Sequence, residues 1–137
     1  MSIVRLLPAW LHAAADYAVG ALLIVVALAV GGSTSAVATG IVVGAVIVGL
    51  SMFTRYPLGV VKVVPFPVHS AGDYLATVLL LGAPWALGFS SSDTGLSAVY
   101  VGAGLAVLAV SLITNYQYGG ARAQRSMGRV GTAGAQA

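Results

Sequence analysis

Hydrophobic residues fill four long blocks of this chain, residues 11–30, 36–53, 68–89 and 96–113, separated by short polar or proline-containing breaks. A bilayer crossing needs about 20 apolar residues at 1.5 Å rise, with a usual range of about 17–25. Every block falls in that range, so the pattern predicts an all-α protein, a four-transmembrane-helix bundle. Pro8 suits the first turn of a helix, where its missing N–H costs nothing. Gly31 and Gly32 end the first block, and Ser33, Thr34 or Ser35 can cap the second helix. The run 58–68 is apolar, but Lys62, Pro65 and Pro67 argue against a further crossing and predict a connector lying along the membrane surface. Pro84, towards the far end of the third block, predicts a kink.

The polar positions interrupting these blocks repeat. Residues 3–17 read IVRLLPAWLHAAADY and residues 60–74 read VVKVVPFPVHSAGDY, identical at six of fifteen positions without a gap. Each copy gives a basic residue, a proline and then His-x-x-x-Asp-Tyr at the mouth of an apolar run. The end of the second block, Thr54-Arg55-Tyr56, is echoed after the fourth by Thr114-Asn115-Tyr116. The chain thus reads as two parallel two-helix repeats, 1–58 and 59–119, followed by a tail, 120–137. Because each unit crosses twice, both copies have the same orientation, related by a pseudo-twofold axis along the membrane normal.

Small residues recur at helical spacing in the second block (Ala36, Gly40, Gly44) and again in the fourth at Gly102 and Gly104. Such stripes let helix backbones approach closely, and Gly40, Gly44 and Gly102 are expected at packed helix faces, chiefly within the chain.

Composition excludes a soluble domain: only 7% of residues are charged, against about 25% in soluble domains. The net charge of +3 bears on topology rather than on nucleic acid. All six Lys and Arg fall before the first block (Arg5), between the second and third (Arg55, Lys62) or in the tail (Arg122, Arg125, Arg129), and none lies in the other two connections. The positive-inside rule then puts both termini and the central loop in the cytoplasm. The glycine- and alanine-rich tail is expected to be disordered and held near anionic lipid by its arginines. Arg5, the first apolar run and Ala27-Leu28-Ala29 imitate a signal peptide, but the same pattern recurs inside the chain, so no cleavage is expected. The absence of cysteine rules out disulfides and thiolate metal sites.

The segment 81–90, LGAPWALGFS, resembles the Ser-Pro-Trp motif of the SPW-repeat family of small bacterial membrane proteins. Ala83 takes the serine position, and Pro84, Trp85, Gly88 and Phe89 carry the likeness. The first repeat lacks the motif, with Ala27-Leu28 where Pro84-Trp85 stand in the second. The resemblance covers residues 3–118 and implies a four-helix protein of the bacterial cell membrane. It implies no reaction.

His12/Asp16 and His69/Asp73 are i, i+4 pairs, each on one helix face at the cytoplasmic end of its span. A charge inside the membrane costs up to about 2.5–3.5 kcal/mol at the bilayer centre on the insertion scale, which argues for partners. Arg55 is expected beside them. Four uses fit these residues: a polar clamp locking the helix ends, a His/Asp metal site, a haem between His12 and His69, or a proton or ion relay. No catalytic residue is expected, because no hydroxyl has a positioned base and no glycine loop suits a phosphate. The expected function is therefore a non-enzymatic membrane protein with a structural or accessory role, without cofactor. Its expected partners are lipid and other membrane subunits or further copies of itself. A small transporter or proton/ion pathway through the His–Asp pairs is the alternative, and a metal or haem binder the third.

Overall fold

The computed structural model describes residues 6–115. Among them four helices follow one another, α1 (Ala9–Val30), α2 (Thr34–Phe53), α3 (Phe66–Ala86) and α4 (Thr94–Ile113). Three of the four, α1, α2 and α4, are long and apolar enough to cross a membrane. With 21 residues α3 matches them in length but is less apolar, because it carries His69, Ser70, Asp73 and Thr77, all buried. It packs between α2 and α4, while α4 returns to α1, so the helices close into a ring. The fold is an all-α membrane bundle.

The ends of α3 differ from the edges of the apolar block. Pro67 sits in the first turn, where its missing N–H is harmless, so the helix starts at Phe66. It stops at Ala86 because Gly88 turns left-handed (φ 74°) with its amide on the Trp85 carbonyl. The amides of Phe89 and Ser90 both return to the Pro84 carbonyl at 2.9 Å. Pro84 falls in the last turn of α3, and Phe89 folds back against the Tyr100 ring, edge to face at 6.1 Å.

Two matching sets of backbone hydrogen bonds lie at the end of the bundle where α1 and α3 start. The orphan carbonyls at a helix C-terminus need donors. The Ile113 carbonyl receives the amides of Leu6 and Leu7, and the Phe53 carbonyl receives those of Val63 and Val64. Asn115 then donates to the Leu7 carbonyl as Arg55 does to that of Val64. Each helix that ends here is stitched to the segment leading into a helix that starts here, α2 to α3 and α4 to α1. The hairpins α1–α2 and α3–α4 each supply two helices to the ring.

At the opposite end Asp93 joins the two outer turns. Its carboxylate accepts the Ser33 amide at 2.9 Å and the Ser33 and Ser92 hydroxyls at 2.7 Å each. The Ser92 hydroxyl first, then Ser33, hold the Asp93 carboxyl below its usual range. Ser33 caps α2 as expected, accepting the Ala36 amide at 3.3 Å.

Glycine sets the closest helix approach. A Cβ on Gly44 would lie 2.6 Å from the Gly20 carbonyl oxygen and 2.8 Å from Ile24. One on Gly40 would lie 2.6 Å from Ala27 and 2.5 Å from the Tyr100 hydroxyl, which donates to the Ala36 carbonyl. Both glycines therefore pack α2 within the bundle, against α1 and α4. Gly102 does not pack as expected. It is exposed, and a Cβ there would meet nothing within 4 Å. Two residues turn a helix by about 200° at 3.6 residues per turn, so Gly104 faces inward instead, against Leu80 and Leu81 of α3. Arg5, the tail 120–137 and its arginines lie outside the described residues.

Candidate functional site

Extended backbone at the C-caps builds the walls of the site. Thr54 ends α2 with φ −83°, ψ 144°, and Thr114 ends α4 with φ −77°, ψ 142°. In extended chain alternate side chains point opposite ways. Thr54 and Tyr56 therefore turn inward, buried to 0% and 1% exposure, and Arg55 between them turns out. Arg55 is not beside the His–Asp pairs: its side chain is exposed and its Nε donates to the Lys62 carbonyl at 3.0 Å.

The two His–Asp pairs do meet. His12 and His69 face each other with Nε2 atoms 3.3 Å apart, at 0% and 1% exposure. The His12 Nε2 lies 3.3 Å from Asp16 Oδ2 and 3.3 Å from Asp73 Oδ2. The His69 Nε2 lies 3.0 Å from Asp16 Oδ2 and 3.2 Å from Asp73 Oδ1. Each histidine thus reaches the carboxylate of its own helix and that of the other repeat, and α1 and α3 are joined across the ring.

The remaining partners come from α2, α4 and the connector. His69 Nδ1 lies 2.8 Å from Thr54 Oγ1, and His12 Nδ1 lies 2.8 Å from Thr114 Oγ1. Each threonine hydroxyl donates its one hydrogen to the carbonyl four residues back, Leu50 or Val110, at 2.6 Å. It is left to accept from the imidazole, which puts a hydrogen on Nδ1 of both rings. Ser51 donates to Asp16 Oδ2 at 3.2 Å, and Ser111 to Asp73 Oδ2 at 3.2 Å. The Tyr56 hydroxyl adds a bond to Asp16 Oδ2 at 3.3 Å. Burial pushes the Tyr56 phenol well up, and neighbouring Asp16 adds to that, so it remains a donor. Phe66 and Tyr56 close the site with their rings, Phe66 lying edge-on to His12 at 5.5 Å.

No family model matches the chain, and no curated protein or solved structure is similar to it. Of the residues that resemble the Ser-Pro-Trp motif, Pro84 and Phe89 are buried at the end of the bundle opposite the His–Asp centre, Gly88 makes the left-handed turn, and Trp85 faces out at 64% exposure. None of them approaches the His–Asp centre; they shape the turn between α3 and α4.

Sequence reasoning missed Thr54, Thr114, Ser51, Ser111 and Tyr56. The signal was present: Ser51-x-x-Thr54 and Ser111-x-x-Thr114 stand at the same repeat offset of 60 residues. The offset also argues against Arg55, whose counterpart is the uncharged Asn115. The haem reading does not fit the geometry. Two axial imidazoles stand on opposite faces of a porphyrin, whereas 3.3 Å between these nitrogens, edged by two carboxylates, leaves no slot for a macrocycle.

Proposed function

We propose that this chain is a non-enzymatic integral membrane protein whose His–Asp centre clamps two parallel hairpins into one rigid bundle. It serves as a structural or accessory component, as a homo-oligomer or within a larger membrane complex. The SPW-repeat likeness supports a bacterial cell membrane. The distribution of Lys and Arg supports cytoplasmic termini and a cytoplasmic α2–α3 connector.

One observation carries this reading. The histidine and aspartate side chains within the four helices, His12, Asp16, His69 and Asp73, are all turned to one another, while the outer surface is apolar, with Val25, Leu28, Val42, Val46, Leu75 and Val78 exposed. Polar chemistry is spent on holding the bundle, and what remains facing outward suits lipid and other helices. Crosslinking in native membranes, followed by affinity purification in mild detergent, should capture a second copy or a defined partner. Recovery of a lone monomer from both steps would remove the reading.

A second reading, an ion or proton pathway, has an observation of its own. Ser70 and Thr77 on α3 and Ser97 on α4 are buried hydroxyls without a hydrogen-bond partner. Ser70 and Thr77 flank Asp73 on one helix face. If this trail conducts, His12→Ala combined with His69→Ala will abolish cation or proton flux into proteoliposomes; unchanged flux excludes the pathway.

A further inference from the structure

The atoms that converge in the polar centre stand at a spacing that suits a cation held between them. We propose that His12, Asp16, His69 and Asp73 form a buried site for one divalent first-row transition cation, with the ligand set and spacing of tetrahedral zinc. The proposal goes beyond the clamp, since a clamp needs only mutual hydrogen bonds.

The first argument is distance. Four ligands about 2.0–2.1 Å from a tetrahedral ion stand about 3.3–3.4 Å from one another. With one oxygen from each carboxylate, Oδ2, four edges run from 3.0 to 3.3 Å, and the other Asp73 oxygen, Oδ1, lies 3.2 Å from His69 Nε2. One ligand atom from each of the four residues lies within 4.8 Å of all the others. Asp16 offers the same oxygen, Oδ2, to both histidines, and Asp73 offers one oxygen to each.

The second argument is the tautomer. Metal-bound histidines commonly give the other ring N–H to an outer partner, which fixes the ring and directs its lone pair. Here Thr54 and Thr114 accept the Nδ1 hydrogens because their own hydrogens are committed to Leu50 and Val110. A neutral ring then turns its Nε2 lone pair to the centre, whereas a ring also protonated at Nε2 donates to the carboxylates, as the clamp requires. A divalent ion displaces such protons and balances both carboxylates at once.

The donor set narrows the ion. Two imidazoles and two carboxylates suit zinc and similar divalent metals, whereas copper(I) prefers thiolate and thioether sulfur, and calcium and magnesium prefer six or more oxygens. Ser51, Ser111 and Tyr56 steady the carboxylates from outside. The ligands come from α1 and α3 and the outer partners mostly from α2 and α4, so a bound ion would tie together all four helices.

The test uses the full chain in mild detergent, stripped of metal and titrated with Zn2+, and with Co2+ as the spectroscopic probe. Saturation at one equivalent per chain, with the intense visible bands of four-coordinate cobalt, is the expected result. His69→Gln should abolish both. Thr54→Val combined with Thr114→Val keeps every ligand and should weaken affinity about 10–100-fold, as loss of outer partners does at other metal sites. A wild-type protein that is helical by circular dichroism yet binds neither ion overturns the proposal. So does binding that His69→Gln leaves unchanged. The clamp is judged separately, from stability in the presence of a chelator, so either idea can fail without the other.

Discussion

Replacing His69 with alanine is expected to destabilise the metal-free bundle by about 3–5 kcal/mol, the usual loss when one partner of a buried charge pair is removed. The ring is 1% exposed and stands within 3.0 Å of Asp16 and 3.2 Å of Asp73. Its removal strands one carboxylate from each repeat in an apolar bundle and leaves Thr54 without its imidazole. His12, Ser51, Ser111 and Tyr56 remain, but none occupies the vacated side of both carboxylates. Replacing His12, Asp16, His69 and Asp73 together with leucine should behave differently. Exchanging a whole buried ionic group for apolar residues is often neutral or stabilising, by up to about 1–4 kcal/mol. Helix content followed through a denaturing-detergent titration, with a chelator present, measures both. A small loss for the single variant would show the centre to be loosely coupled. A quadruple variant as unstable as His69→Ala would show that packing, not charge, is what the site supplies.

That contrast bears on why the centre is polar at all. If four leucines hold the helices as well, stability does not explain the two repeated His–Asp pairs, and ligand binding becomes the reason to keep them. If they do not, the fit of these four side chains in the bundle is reason enough to keep them.

Much of this was legible in the chain. Apolar blocks of bilayer length fix helix number, because lipid leaves few other ways to satisfy a backbone. The repeated His-x-x-x-Asp places two i, i+4 pairs at one depth, and a pseudo-twofold bundle brings them together, as the contacts between His12, Asp16, His69 and Asp73 show. What failed was any inference that ignored the repeat. Arg55 looked right by depth and charge, yet extended backbone after Phe53 decides which side chains enter, and it admits Thr54 and Tyr56. The repeated spacing marks the threonines, but their role as acceptors for the imidazoles depends on a committed hydrogen, which appears only once the helix end and the opposing imidazole are both placed.

Among Gly44, Gly104 and Gly102, the largest loss is expected for Gly44→Leu, at about 3 kcal/mol or more, the upper end for overpacking. Apolar helices in lipid gain nothing from hiding oil from water, so their association depends on close van der Waals contact. Gly20 and Gly44 face each other backbone to backbone: a Cβ on Gly44 meets the Gly20 carbonyl oxygen at 2.6 Å, and one on Gly20 meets the Gly44 carbonyl oxygen at 2.9 Å. A carbonyl within a helix cannot swing aside, so a side chain there must push α1 and α2 apart. The repeat supplies a graded control. Gly104 is the counterpart of Gly44, but its nearest neighbours are Leu80 Cβ at 3.1 Å and Leu81 side-chain atoms at 3.2 Å rather than a carbonyl oxygen at 2.6 Å, so a smaller displacement suffices and Gly104→Leu should cost about 1–2 kcal/mol. Gly102→Leu adds its side chain to open space and should stay within about 0.5 kcal/mol of wild type. The order Gly44, Gly104, Gly102, read from the same denaturing-detergent titration, tests whether backbone contact sets the packing of the first hairpin. Equal losses at Gly44 and Gly102 would mean that this helix pair is held by something other than its glycines.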